Sequence, residues 1–66
     1  MDETTRSKLL DLQRMEATEA EVYRRLAKMQ SNPVNRSILE SIALEEERHE
    51  AVIGRMTGDE VEVDRG

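Results

Sequence analysis

The chain has no cysteine, no tryptophan and no phenylalanine, and only one each of proline, tyrosine and histidine among its 66 residues. Without cysteine, it can be stabilised neither by disulfides nor by thiolate metal sites. A chain this short hides only about 60% of its unfolded surface when it folds alone. The absences therefore leave a bound metal or a partner chain as the expected stabilisers.

Positive charge is also scarce, and apolar residues occur only in short runs. Fifteen acidic residues against ten basic ones give a net charge of -5. Because such a chain repels a phosphate backbone, we expect no nucleic-acid partner. No apolar run approaches the roughly 20 residues that span a bilayer, and the first residues do not resemble a secretion signal. The sequence predicts a cytoplasmic protein with no membrane segment in this chain.

Two long stretches of helix-forming residues are separated by Ser31-Asn32-Pro33. The first stretch predicts a helix over about 5–30, since it contains neither glycine nor proline. Asn32 or Ser31 is the expected N-cap of a second helix over about 33–56, with Pro33 at its first position and its end near Gly54 or Gly58. Residues 1–58 thus form one helical domain, and the acidic segment 59–66 predicts a flexible tail.

Both predicted helices are amphipathic. In the first helix, one half of the circumference holds most of the large apolar side chains, and the other half holds Arg6, Gln13 and Arg24, which predicts a solvent-facing side. The short link predicts an antiparallel hairpin, whose apolar stripes are too wide for one neighbour. We therefore expect an all-α fold in which two hairpins pair into an antiparallel four-helix bundle, as a homodimer or a higher oligomer.

Four ionisable side chains break this pattern. Glu16 and Glu19 fall within the apolar half of the first helix, and Glu46 and His49 fall on the apolar face of the second. In a hairpin folded about residues 31–32, Glu16 lies level with the Glu46-x-x-His49 segment. Uncompensated acids in a core are costly, and a bound cation removes that cost. Glu16, Glu46 and His49 are therefore predicted metal ligands, and their oxygen-rich chemistry favours iron or manganese.

Each of these residues also has an ordinary interpretation. Glu-x-x-His occurs by chance in charged helices, and Glu16 alone would often be half of an ion pair with an arginine. Glu19 is a further ligand, a shuttle at the entrance of the site, or a hydrogen-bonding neighbour of the ligands. Tyr23 is either a plain core residue or a hydrogen-bond partner of a ligating carboxylate. The metal prediction depends on the conjunction of these residues, and no single one carries it.

The run EATEAEVYRRLA from Glu16 to Ala27, followed by IALEEERH over 42–49, resembles the ferritin-like superfamily. The likeness covers about residues 9–53. It is greatest to rubrerythrin-type half-domains, which include encapsulated ferritins and the soluble N-terminal domains of vacuolar-iron-transporter-type proteins. The resemblance implies a ferritin-like bundle with a di-iron site, in which Glu16, Glu46 and His49 bind iron and Tyr23 lies beside them.

The chain also departs from these relatives. Ferritins and rubrerythrins carry four helices in one chain, whereas two are predicted here, and the cysteine-rich electron-transfer segment of rubrerythrins is absent. The resemblance therefore implies a site that a second copy completes. It also adds a membrane transporter or an encapsulating shell to the candidate partners.

Three hypotheses from different functional classes follow. In the first, a homodimer holds two Fe(II) ions and oxidises them as a ferroxidase, for iron storage or detoxification. In the second, the chain is a metal-sensing or metal-delivery domain of an iron or manganese transporter and catalyses no turnover. In the third, it is a structural hairpin that dimerises and binds no metal.

Overall fold

A computed structural model describes residues 1–63, which form two α-helices joined by a short turn, α1 (Glu3–Lys28) and α2 (Pro33–Thr57). α1 begins and ends two residues earlier than predicted, and α2 runs one residue further. No strand occurs within this range. Neither helix in residues 1–63 is long and apolar enough to cross a membrane. Residues 64–66, the end of the predicted flexible tail, lie outside the described residues.

The helix boundaries follow from local hydrogen bonding. The Asp2 carboxylate accepts a hydrogen bond from the Thr5 amide at 2.7 Å, which also holds the pKa of Asp2 below its ordinary value. Asn32 Oδ1 accepts from two amides of the first turn of α2, at 2.8 and 3.2 Å, and Pro33 occupies the first helical position. α2 is capped by Gly58, directly after its last residue. The φ of Gly58 is 74°, in the left-handed region that glycine adopts readily.

The two helices pack side by side and antiparallel, as contacts between opposite ends of the sequence show. Arg6 near the start of α1 forms an ion pair with Asp59 just beyond the end of α2, and Arg24 pairs with Glu47 across the helices. The hairpin measures 46 × 23 × 13 Å. Because its thinnest dimension is about the diameter of one helix, the hairpin is a single layer that has two open faces.

Small and polar residues form the contact between the helices. Gln13, Ala20 and Ala27 are the buried residues of α1, and Ala43 and Thr57 are those of α2. The buried positions of α1 are seven residues apart, and those of α2 are fourteen apart, so each set lies along one side of its helix. We call this contact, formed by Gln13, Ala20, Ala27, Ala43, Glu50 and Thr57, the seam.

The seam corrects one prediction. Gln13 was expected on the solvent-facing half of α1, yet it is fully buried with 0% of its surface exposed. The helices approach each other along small side chains, and this line runs beside the stripe of large apolar residues. Gln13 is buried because it lies on the same seven-residue line as Ala20 and Ala27.

Eleven large apolar side chains lie outside the seam and are exposed, with exposed fractions from 38% to 76%. Shallow grooves on one side of the hairpin are lined by several of them, together with half-buried residues such as Leu39 and Ile53. We call this side the apolar face; its exposed large residues include Leu12, Leu26, Ile38 and Val52. The single chain thus leaves many of its large apolar side chains exposed.

Candidate metal centre

Glu16, Glu46 and His49 converge on the apolar face, where the two helices meet. His49 Nδ1 lies 3.2 Å from Glu16 Oε2 and 3.6 Å from Glu46 Oε1. One donor atom from each side chain lies within 4.8 Å of the other two. The structure therefore brings together all three residues that were predicted as metal ligands. Their ability to bind a metal stays a prediction.

Each helix contributes to this convergence for a simple reason. Glu46 and His49 are three residues apart, which places them on one side of α2. Glu16 reaches them from α1 because the antiparallel hairpin puts the middles of both helices at the same height. Glu16 was predicted to lie level with the Glu46-x-x-His49 segment, and the observed contacts agree with that prediction.

The three side chains differ in their exposure. The side chains of Glu16 and Glu46 are 15% exposed, whereas that of His49 is 57% exposed. The carboxylates therefore form the inner part of the cluster and the imidazole forms its rim. Within residues 1–63, neither Glu16 nor Glu46 makes an ion pair with lysine or arginine, so the arginine pairing considered for Glu16 does not occur there.

Glu19 belongs to the same group of acids. Its carboxyl shares a hydrogen bond with that of Glu46, and this bond raises the pKa of Glu19 above its ordinary value of 4.5. Partial burial and the charge of Glu46 raise the pKa further. Of the roles predicted for Glu19, a hydrogen-bonding neighbour of Glu46 matches this geometry.

Tyr23 lies two turns along α1 from Glu16 and is half-buried. Its hydroxyl makes no hydrogen bond to any other residue of the described range 1–63. The predicted bond from Tyr23 to a ligating carboxylate is therefore absent from the single chain. A position in a core is not observed either, because the apolar face has no second layer of residues in the hairpin.

The cluster is set in an apolar groove. Leu12, Val52 and Ile53 line this groove together with Glu16 and His49. Glu47 and Arg48, which the sequence places outside the cluster, instead form ion pairs with Arg24 and Glu45. Glu45 and Glu47 are thus paired with arginines, whereas Glu46 lies on the apolar face beside His49.

The donor set fits a small divalent cation. Protein ligands bind first-row cations at about 2.0–2.2 Å, so donor atoms on one ion are at most roughly 4.4 Å apart. The three donor atoms lie within 4.8 Å of one another, close enough for small side-chain rotations to bring them onto one ion. Carboxylate oxygens with an imidazole nitrogen suit iron and manganese. Three donors leave coordination positions open, because such ions take more ligands than three.

A second polar group, around Gln13, was not predicted from the sequence. Gln13 forms hydrogen bonds with Glu50, Thr57 and the backbone of Asp59, one turn away from the candidate metal ligands. The signal that was present in the sequence is the seven-residue spacing of Gln13 with Ala20 and Ala27. Hydrophobic periodicity ignores it because glutamine is polar and alanine is only weakly apolar.

Comparisons of the chain with family models, with curated proteins and with solved structures find no match. The likeness to the ferritin-like superfamily therefore depends on the residues quoted above.

Proposed function

We propose that the chain is an iron-binding protein of ferritin-like type that works as a homodimer. Two Fe(II) ions bind between the copies, held by Glu16, Glu46 and His49 of each chain. The observation that carries the proposal is the convergence of these three side chains on an exposed apolar face. Acids in such a place are costly unless a cation and a covering layer accompany them.

The second copy is inferred from what one chain lacks. A single layer of two helices leaves its large apolar residues exposed, and a matching layer would bury them. Two hairpins stacked through their apolar faces form a four-helix bundle. Because identical chains pair most often about a two-fold axis, the cluster would be duplicated in the interior. A second set of ligands would then complete the coordination of each ion.

Charge balance supports two divalent ions for each dimer. Glu16 and Glu46 supply two negative charges per chain, and no lysine or arginine of residues 1–63 neutralises them. Two chains therefore bring four negative charges, and two divalent cations bring four positive ones. A neutral group is far less costly to bury than four carboxylates without a cation.

In this proposal Fe(II) is the substrate and the protein residues position and neutralise it. Each pair of Fe(II) ions gives up two electrons, which reduce dioxygen to peroxide or peroxide to water, with protons taken from solvent. The exposed imidazole of His49 marks the side on which an ion enters a single chain. The open coordination positions left by three donors give the oxidant access to the metal.

Metal binding at these residues is tested by titration of the purified chain with Fe(II) without oxygen and with Mn(II). We expect one divalent ion per chain, and we expect Glu16→Ala and His49→Ala to lower this number. Glu47→Ala is the matched control, because Glu47 neighbours Glu46 in sequence but pairs with Arg24 outside the cluster. Equal loss in all three variants would show that the carboxylates bind metal only as a diffuse charge.

The oligomeric state and the oxidation step need separate measurements. Light-scattering mass and elemental analysis on the same chromatographic peak give the number of chains and of ions together. A metal that binds the folded dimer at one hundred times its Kd stabilises it by about 2.7 kcal/mol. If neither Fe(II) nor Mn(II) changed the melting temperature, metal binding would be contradicted. Oxygen uptake after addition of Fe(II) separates a ferroxidase from a domain that binds iron without turnover.

A further inference from the structure

The most buried large side chain of the molecule is polar. Gln13 has no exposed surface. Both the nitrogen and the oxygen of its side-chain amide form hydrogen bonds. Nε2 donates to Glu50 Oε1 at 3.0 Å and to the Asp59 carbonyl at 2.8 Å, while Oε1 accepts from Thr57 Oγ1 at 2.8 Å. One glutamine of α1 is thus bonded to two side chains of α2 and to the segment that follows it.

The surrounding residues are shaped to receive this amide. Glu50, Gly54 and Thr57 lie on one side of α2, and Gly54 is the residue over which the amide packs. A Cβ atom at Gly54 would lie 3.1 Å from Gln13 Nε2, so a larger residue would displace the amide. Glycine at position 54 therefore leaves room for the Gln13 amide against α2. Arg6 closes the group by donating to the Thr57 carbonyl and pairing with Asp59.

The rest of the seam gives little information about how far one helix is shifted along the other. Ala20, Ala27 and Ala43 are small and alike, so a displaced pairing would bury similar surface. Buried hydrogen bonds do distinguish one helix alignment from another, because a shift would leave the Gln13 amide and its partners buried without hydrogen bonds. A single buried polar residue fixes the alignment of coiled coils in this way.

The candidate metal ligands lie one helical turn from this group. Glu16 follows Gln13 by three residues on α1, and on α2 Glu50 directly follows His49 and lies four residues after Glu46. Because each helix is stiff over one turn, the alignment set at Gln13 and Glu50 is also the alignment at the cluster. A metal site must be held within about 0.5 Å of its working geometry.

We infer that Gln13 is a positioning residue for the candidate metal centre. Its bond to Glu50 fixes the alignment of α1 against α2 at which Glu16 meets Glu46 and His49. The inference about the alignment stands on the hydrogen bonds of the single chain. Its consequence for metal affinity rests on the proposed function.

The alignment is measured directly by pulsed electron spin resonance on metal-free protein. Because the chain has no cysteine, Lys8→Cys and Glu40→Cys provide two unique sites for nitroxide labels, one on each helix. Dilution with unlabelled chain removes distances between copies. We expect a single narrow distance distribution in this background. Gln13→Met and Gln13→Glu should broaden it or shift it by roughly 1.5–5 Å, between one residue and one turn of helix.

Two further variants separate a positioning role from general loss of structure. Combining Gln13→Glu with Glu50→Gln exchanges the two side chains, and the hydrogen bond between them can re-form with donor and acceptor reversed. Because a carboxylate at position 13 cannot donate to the Asp59 carbonyl, we expect this exchange to restore the distribution in large part. Gln30→Met is the matched control, because among residues 1–63 the Gln30 side-chain amide donates only to the Leu26 carbonyl, four residues earlier in the chain. Unchanged distributions in both single variants at Gln13 would overturn the inference.

Metal affinity supplies the second measurement, with Mn(II) as the probe. We expect Gln13→Met to keep its helix content by circular dichroism but to lose roughly 10- to 100-fold in affinity, the range found when residues behind metal ligands are replaced. The exchanged pair should recover most of this loss, and Gln30→Met should bind normally. A shifted alignment with full affinity would overturn the positioning role. If the unmodified chain binds no Mn(II), the proposed function fails, and the distance measurement still decides the alignment.

Discussion

The seam and the apolar face lie on the same two helices but are built from different residues. The seam consists of alanines and of polar side chains whose hydrogen bonds are satisfied within the chain. The apolar face carries many large hydrophobic residues, yet they are exposed, and within residues 1–63 the only basic group that pairs with Glu16 and Glu46 is His49. One side of each helix is therefore complete in a single chain, and the other side is not.

This difference shows how a short chain can divide its residues between folding and association. Small residues suffice to join two helices that the turn already holds together, because their backbones can approach closely. Large apolar residues bury more surface for each contact, and here they remain available for a second layer. The candidate metal ligands belong to this exposed side, which the proposed partner chain would cover.

The largest expected effect tests whether the apolar face is an interface. Leu12 on this face and Leu44 outside it have similar exposures in the hairpin, 40% and 43%. If a second copy covers Leu12, Leu12→Gln should weaken the dimer by about 2–4 kcal/mol because both copies change, which raises its Kd roughly 30- to 700-fold. Sedimentation over a range of concentrations measures this constant.

Leu44→Gln is the control for that experiment. Since the two leucines are exposed alike in one chain, any difference between the variants reports the partner. Equal dimer constants for both variants would show that the apolar face is not the contact between copies.

A smaller effect is expected from filling the seam. Ala43 has no exposed surface between the helices, so Ala43→Leu should lower the free energy of unfolding by about 1–3 kcal/mol through overpacking. Ala51 is an exposed alanine of the same helix, and Ala51→Leu should change stability by less than about 0.5 kcal/mol. Urea denaturation at matched chain concentration measures both. A tolerated leucine at Ala43 would mean that the helices are not in close contact there.

The smallest effect concerns the acids of the apolar face. Because the folded chain raises the pKa of Glu19, it binds a proton there more tightly than the unfolded chain does. The free energy of unfolding of the metal-free protein should therefore fall as the pH rises from 4.5, the ordinary pKa of glutamate, through the raised pKa of Glu19. Glu19→Gln should flatten this part of the profile.

Chemical denaturation at several pH values measures the slope for each protein. Glu40→Gln, which changes an exposed glutamate of α2, is the matched control and should leave the slope as it is in the unmodified chain. A Glu19→Gln profile that parallels the unmodified one would show that the bond to Glu46 contributes nothing to stability.

Much of the fold could be predicted because it depends on local rules. Short stretches of sequence suffice to recognise three features: the absence of glycine and proline from α1, the Asn32 cap and the capping Gly58. The exception is Gly54, which the sequence offers as an equal candidate for the end of α2. Gly54 lies inside the helix, where its lack of a side chain leaves room for Gln13 of the other helix.

The candidate site was predictable to a similar degree. Helical spacing put Glu46 and His49 on one side of α2, and the position of the turn put Glu16 at their height. The spacing did not reveal that His49 lies on the rim while the two carboxylates lie deeper. Nor did it reveal that Glu19 shares a hydrogen bond with Glu46, since such contacts depend on side-chain conformation.

By itself, the sequence determined two helices, the turn between them, and the acids and histidine that interrupt their apolar sides, because periodicity and capping act over short distances along one chain. Only the tertiary structure decided which side of each helix meets the other. Hydrophobic periodicity favoured the large residues for that contact, but close approach of two helices favours small ones. The alanines and Gln13 therefore took the seam, and the large residues were left on the face where Glu16, Glu46 and His49 meet.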